Sequence, residues 1–373
     1  MIIPTYNRAN MVGRAIDSVL AQTYPNVEII VIDDGSTDDT RNVLSKYGNR
    51  VISVFQSNGG AANARNHGLR VATGEFIGFL DSDDYYLPNK IELQVKYLLE
   101  NPEIDVVLCH FLSIDRKNNY YQNAGENLFN NILTDILWQD AHGLFPPLIA
   151  LLRKRCLDEV HGFDEYLSKR EEQDFWLQLA LAGCKYGVVK KTLCGWVTGD
   201  HSKGRNNDGL EHNMLHILNK VFTHPKIPEY VKQLKNEIYA RNYLCFAAMC
   251  FEGNEVKTAD AKSVLKKYLE LAFTEVEDIS LWKAETIDRA IYLVEDFDPE
   301  YPEKLLEVLL PQSVDPKVRS FMFSEMYLIR AFNARDLGNR MDVVKYSVKA
   351  IFQDYRILRR SNIISLIFHA LTK

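Results

Sequence analysis

The sequence has no paired cysteine motif. Its six cysteines, Cys109, Cys156, Cys184, Cys194, Cys245 and Cys250, stand apart without C-x-x-C spacing. That excludes a zinc knuckle and a disulfide-framed small domain, and fits a reducing compartment. No apolar run approaches the ~18–20 residues needed to cross a bilayer. No leader pattern precedes the first strand-like stretch, MIIPTYNR, and residues upstream of that strand are expected. Positive charge is also short. The formal net charge of −6 argues against a duplex-coating protein, so no nucleic-acid partner is expected. A glycine-rich phosphate loop with basic residues is missing from the opening segment, which argues against a nucleotidyltransferase. These absences together point to a cytoplasmic protein.

What is present is the composition of a globular chain, 46% apolar and 25% charged over 373 residues, long enough for two domains. The segments 28–33 (EIIVID), 51–56 (VISVFQ), 76–80 (FIGFL) and 105–110 (DVVLCH) read as strands. Segments 8–22 and 89–101 repeat apolar residues at helical spacing. Such alternation predicts an α/β fold, a mostly parallel sheet with helices on both faces. Ligands of such sheets bind beyond the carboxyl ends of the strands. Three polar clusters fall there: PTYNR, DDGSTD and the acid knot Asp81-Ser82-Asp83-Asp84. Three carboxylates in four residues repel one another unless a cation sits among them. A helix cap accounts for one of them, expected to be Asp84. The others suit a hard divalent cation, Mn²⁺ or Mg²⁺, completed by substrate phosphates.

A polar, glycine-bearing linker is expected at 199–209, dividing a domain at 1–204 from an all-α, loosely repeat-like (TPR-like) domain at 210–373. The last segment, RILRRSNIISLIFHALTK, places Ile363, Ile364, Ile367 and Leu371 on one helical face behind three arginines. Two accounts stand: the stripe caps the helical core, or it lies peripherally on the inner face of an anionic membrane.

IIPTYNR, VIDDGSTDDT, NGGAANARNHG, GEFIGFLDSDD and GFDEYLSKREEQDFWLQLALAG, in this order, resemble an inverting family 2 glycosyltransferase of the GT-A (Rossmann-like) fold over residues 1 to about 200. The resemblance implies transfer of a sugar from a nucleotide-diphosphate sugar, with UDP-sugar the leading donor, to an acceptor hydroxyl on an unspecified glycan, lipid-linked sugar or protein. It implies that Pro4 and Thr5 approach the nucleotide base, that Tyr6 packs on it and that Asp34 accepts from it. DDGS is equally a good turn. Arg65 would face the nucleotide, Asp83 would bind the metal, and Asp81 would hold the ribose or the metal's waters. The family's base is the Asp of an ED pair, and here Glu172 stands in its place. The site is then built around Glu172, or Asp174 does the work, or the protein binds donor without transfer and its helical part serves as an interaction module. The motif order favours Glu172. His201 is a weak match to a family histidine, while Trp176 and Trp196 are candidates for the acceptor site, Trp176 also suiting the core.

Overall fold

The computed structural model describes residues 1–114, 120–123, 132–137, 146–197, 209–236 and 340–353, with isolated positions between 238 and 331. The chain divides into two compact units, Met1–Lys232 and Gln233–Lys373.

The first unit opens with β1 (Ile2–Thr5), α1 (Val12–Leu20), β2 (Ile30–Asp33), α2 (Thr40–Ser45), β3 (Ile52–Phe55) and α3 (Gly60–Val71). β1, β2 and β3 pair in parallel, with Ile2 opposite Ile30 and Ile30 opposite Ile52. β1 and β2 are buried throughout, as continuous apolar runs in parallel sheets usually are. α1 buries Val12, Ala15, Ile16 and Val19, one face at helical spacing, each larger side chain contributing about 1.5–3 kcal/mol. α3 packs on β1 and β2. It approaches closely because Gly68 faces Ile2, where any Cβ would collide with the isoleucine.

β4 (Phe76–Gly78), β5 (Tyr85–Tyr86), α4 (Lys90–Glu100), β6 (Val106–Ile114), β7 (Tyr120–Asn123), α5 (Ile132–Leu137), β8 (Leu151–Arg153), α6 (Glu171–Leu181) and β9 (Tyr186–Val197) follow. The strands form a second sheet in the order β4-β8-β6-β9-β5, with β7 on β6. Here the pairings are antiparallel except β6 with β9. A parallel bridge from Ile2 to Phe79 joins the two sheets. The parallel reading therefore describes β1–β3 and their junction with β4. β5, β7 and β8 are too short to show a period and add the antiparallel part.

α7 (Leu210–Phe222) and α8 (Glu229–Gln233) come next. The first compact unit ends at Lys232 and includes α7, which packs on α6 and whose Lys220 and His216 bind Asp164. In the second unit the helix Arg340–Gln353 buries Val343, Tyr346, Ser347 and Ala350 at helical spacing. The other expected helices there, the terminal stripe and His201 lie outside the described residues.

Candidate active site

The three polar clusters meet at the carboxyl ends of β1, β2 and β4. Asn7, in the left-handed region at φ 52, donates its N–H to the Ser36 hydroxyl at 2.8 Å, and its Oδ1 accepts from the Thr37 N–H at 2.7 Å. These bonds knit the segment after β1 to the turn after β2. Asp33 closes that turn by accepting the Ser36 N–H at 3.0 Å. Gly35 completes it at φ 80, where a Cβ would lie 2.8 Å from the Asn58 nitrogen. Asp34, buried, accepts from Gln56 Nε2, the Gly59 N–H and the Gly60 N–H, all at 2.8 Å. Two of these bonds reach Oδ1 and one reaches Oδ2. Asp34 thus fixes the glycine turn that opens α3, and Oδ2 keeps a lone pair. Pro4 and Thr5 are buried at the end of β1, the Thr5 hydroxyl without a partner, while the Tyr6 ring is 41% exposed beyond them.

Arg65 is buried between acids. Its Nη2 donates to Asp81 Oδ1 at 2.8 Å and its Nη1 to Glu171 Oε1 at 3.0 Å, while Nε has no partner. The guanidinium lies 5.3 Å from the centre of the Phe163 ring. One planar fork thereby ties the acid knot to the start of α6. Asp83 lies 3.7 Å from Arg8, and Arg14 donates to its carbonyl. Burial, then repulsion from Asp81, pushes the Asp83 carboxyl above its ordinary range. Asp84 does not cap a helix. α4 starts at Lys90, and the residues after Asp84 form β5 on β9. Its buried carboxylate instead accepts the Val197 N–H at 2.8 Å, and burial raises its pKa strongly.

α6 begins after Arg170, which is left-handed at φ 62 and provides no side-chain cap, with Glu171, Glu172 and Asp174 in the first turn. Glu172, partly exposed, is pushed up to about 8. Desolvation is the main cause and Glu171 adds repulsion, while Arg65 opposes both. Asp174 belongs to another cluster. It is 1% exposed and pairs with Lys220 at 2.9 Å. Trp176 is fully buried and therefore core, and Trp196 stands edge-on to Phe111.

Residues not singled out in the sequence complete the arrangement. Asn66 donates to the Phe163 carbonyl and to Glu165, both at 2.8 Å, and Asn63 donates to the other Glu165 oxygen at 2.7 Å. These bonds anchor the segment before α6 to α3. The two asparagines of NARN, on one helical face, were the available signal. Glu171 was visible only as one acid in a run. Among the described residues no group of three His, Cys, Asp or Glu side chains is placed to hold a metal, and no helix is long and apolar enough to cross a membrane.

A parallel sheet β1-β2-β3 with a buried aspartate after its second strand, and an arginine that joins the acid after β4 to the start of α6, fit the GT-A class of α/β fold. Residues 1–160 match the family described as glycosyl transferase family 2. An uncharacterized glycosyltransferase of Rickettsia typhi is 35% identical over 190 residues, 50% of this chain and 59% of that protein. The chondroitin synthase of Pasteurella multocida is 29% identical over 283 residues, 73% of this chain and 28% of that protein. The chain thus spans less than two thirds of these curated relatives. Among solved structures, S. aureus TarS 1–349 in complex with UDP-GlcNAc superposes with a TM-score of 0.55 at 20% identity, covering 94% of this chain and 90% of that one. This likeness supports the fold.

Proposed function

We propose that the chain transfers a sugar, with inversion, from a nucleotide-diphosphate sugar to an acceptor hydroxyl, and that Glu172 is the base. The observation carrying this reading is the double ion pair of Arg65. It brings Asp81 of the acid knot and Glu171, the neighbour of Glu172, onto one guanidinium. Donor-side and acceptor-side carboxylates thereby share one site. Asp34 would accept from the base of the nucleotide through its remaining Oδ2 lone pair, with Tyr6 packed on the ring and Pro4 and Thr5 beneath. Arg65, buried and with its terminal nitrogens committed, orders the acids beside the donor.

Asp81 and Asp83 offer hard oxygen ligands, and burial with repulsion from Asp81 raises the Asp83 carboxyl. That donor set fits Mn²⁺ or Mg²⁺ with Asp83 as ligand, and its thinness fits a cation finished by donor phosphates. When bound, the cation would offset the charge growing on the diphosphate as the sugar leaves. Glu172 takes the proton from the acceptor oxygen as that oxygen attacks the anomeric carbon. The UDP-GlcNAc held by TarS makes a UDP-sugar the first donor to try. A chondroitin synthase among the relatives points to a polysaccharide acceptor.

Incubation with Mn²⁺ and a panel of UDP- and GDP-sugars, followed by assay for released nucleotide, tests the reading. Slow donor hydrolysis that EDTA abolishes is expected. Tight donor binding with no turnover, with or without candidate acceptors, would favour a donor-binding protein that lost transfer with the change to Glu172.

A further inference from the structure

Lys220 of α7 holds two carboxylates that are distant in sequence. Its Nζ donates to Asp164 Oδ2 at 3.1 Å and to Asp174 Oδ2 at 2.9 Å. Asp164 opens the loop that leads to α6, and Asp174 sits in the first turn of that helix. Between them lie the left-handed Arg170 and the pair Glu171-Glu172. We propose that Lys220 is a positioning residue for Glu172, holding its carboxylate at the site by tying Asp164 to Asp174. The proposal rests on the reading of Glu172 as the base.

The argument is one of support. α6 starts without a side-chain cap, and its first turn is held by side chains instead: Arg170 donates to Gln173 at 3.3 Å and Gln173 to the Ile136 carbonyl at 3.2 Å. Of the three acids there, Glu171 is held by Arg65 and Asp174 by Lys220. Glu172 lies between two anchored neighbours, and its place follows from theirs. Glu171, Arg65 and Asp81 act on it; Gln178 and Asp164 surround Asp174 besides Lys220, and His216 shares Asp164 at 3.2 Å. Without Lys220 the buried Asp174 is an unpaired charge. It then takes up a proton or moves outward, and either change releases the turn. A shift of an ångström at a reacting group can cost about a hundredfold in rate.

A buried pair that merely stabilises the unit must be told apart from this. The folded protein holds the Glu172 proton more tightly than the unfolded chain, so this group's ionisation erodes stability as pH rises from the ordinary 4.5 to about 8. Glu172→Gln, which cannot ionise, therefore gains on the parent across that interval, and the gap reports how enclosed the carboxylate is. Urea unfolding in EDTA from pH 4 to 9 measures it in the native and the Lys220→Met backgrounds. The expected result is a gap at least halved in Lys220→Met, reaching its plateau at least one pH unit lower, and recovered in Lys220→Arg. Where donor turnover is measurable, Lys220→Met lowers kcat tenfold or more with donor KM within twofold. An identical gap and plateau in both backgrounds, whatever the loss of overall stability, overturns the proposal. If Lys220→Met does not fold, Asp164→Asn removes the loop end of the tie while leaving the buried pair, and the same comparison decides. Should Glu172→Gln keep full turnover, the reading of the base fails while the stability gap still reports positioning.

Discussion

Glu172 is a carboxylate whose surroundings resist its charge. Burial and Glu171 raise it to about 8, which makes it a stronger proton acceptor once ionised and leaves it mostly protonated at neutrality. Under the proposed role as base the ionised form is the active one, so the rate should rise with pH and level off above about 8. Glu172→Gln keeps the shape without the acceptor. Turnover should fall by roughly 10²–10⁴ while the nucleotide dissociation constant stays within about twofold. Steady-state kinetics beside calorimetric titration of UDP checks both. An Asp174→Asn variant that alone shows this pattern would move the role to the other acid, against the Lys220 pairing that turns Asp174 away. The acids themselves were legible in the sequence as motif residues. Their partners were not, because an ion pair such as Arg65 with Glu171 joins residues 106 positions apart, and no local pattern records that separation.

At the scale of elements, the turn after β2 carries more than its length suggests. Gly35 at φ 80, hard against the Asn58 backbone, sets the direction of Asp34, and Asp34 in turn sets the glycine turn of α3. Gly35→Ala should cost about 1–3 kcal/mol in folding and weaken UDP binding at least tenfold, read by denaturant melts and calorimetry. Intact binding in a destabilised variant would show that the turn serves folding alone. The strands up to β4 and the helix α1 were readable because β-branched runs and helical spacing stand out there, whereas the short α2 and the Ala-, Asn- and Gly-rich α3 show no such apolar period. β5 and β8, two and three residues long, leave no period to read. The cap assigned to Asp84 failed for the same reason, since β5 stands between Asp84 and the helix expected at 89–101, which begins at Lys90.

Over the whole molecule, every described candidate for donor and base lies in Met1–Lys232. UDP with Mn²⁺ at about a hundred times its dissociation constant should stabilise that unit by about 2.7 kcal/mol, a rise of roughly 5–10 °C in its thermal transition. EDTA or Asp83→Ala should remove most of that rise. An equal rise without cation would mean that nucleotide binding does not depend on the acid knot. The expected division at the polar linker near 204 followed composition; the charge pairing that ties α7 to the first unit is not visible in composition.

The guanidinium of Arg65 answers to Asp81 on one side and Glu171 on the other, so events on the donor side are felt next to the base. Under the proposed roles, engagement of Asp81 by the donor would screen its repulsion of Glu172 and leave Arg65 more fully to Glu171. Both changes would make it easier for Glu172 to shed its proton, and only after the sugar to be transferred has arrived. The catalytic cycle would then acquire a compulsory sequence, nucleotide sugar first and free nucleotide last. Product inhibition would display it: UDP competitive against the donor and noncompetitive against the acceptor. A random-order pattern would mean that the two halves of the site work without hearing each other.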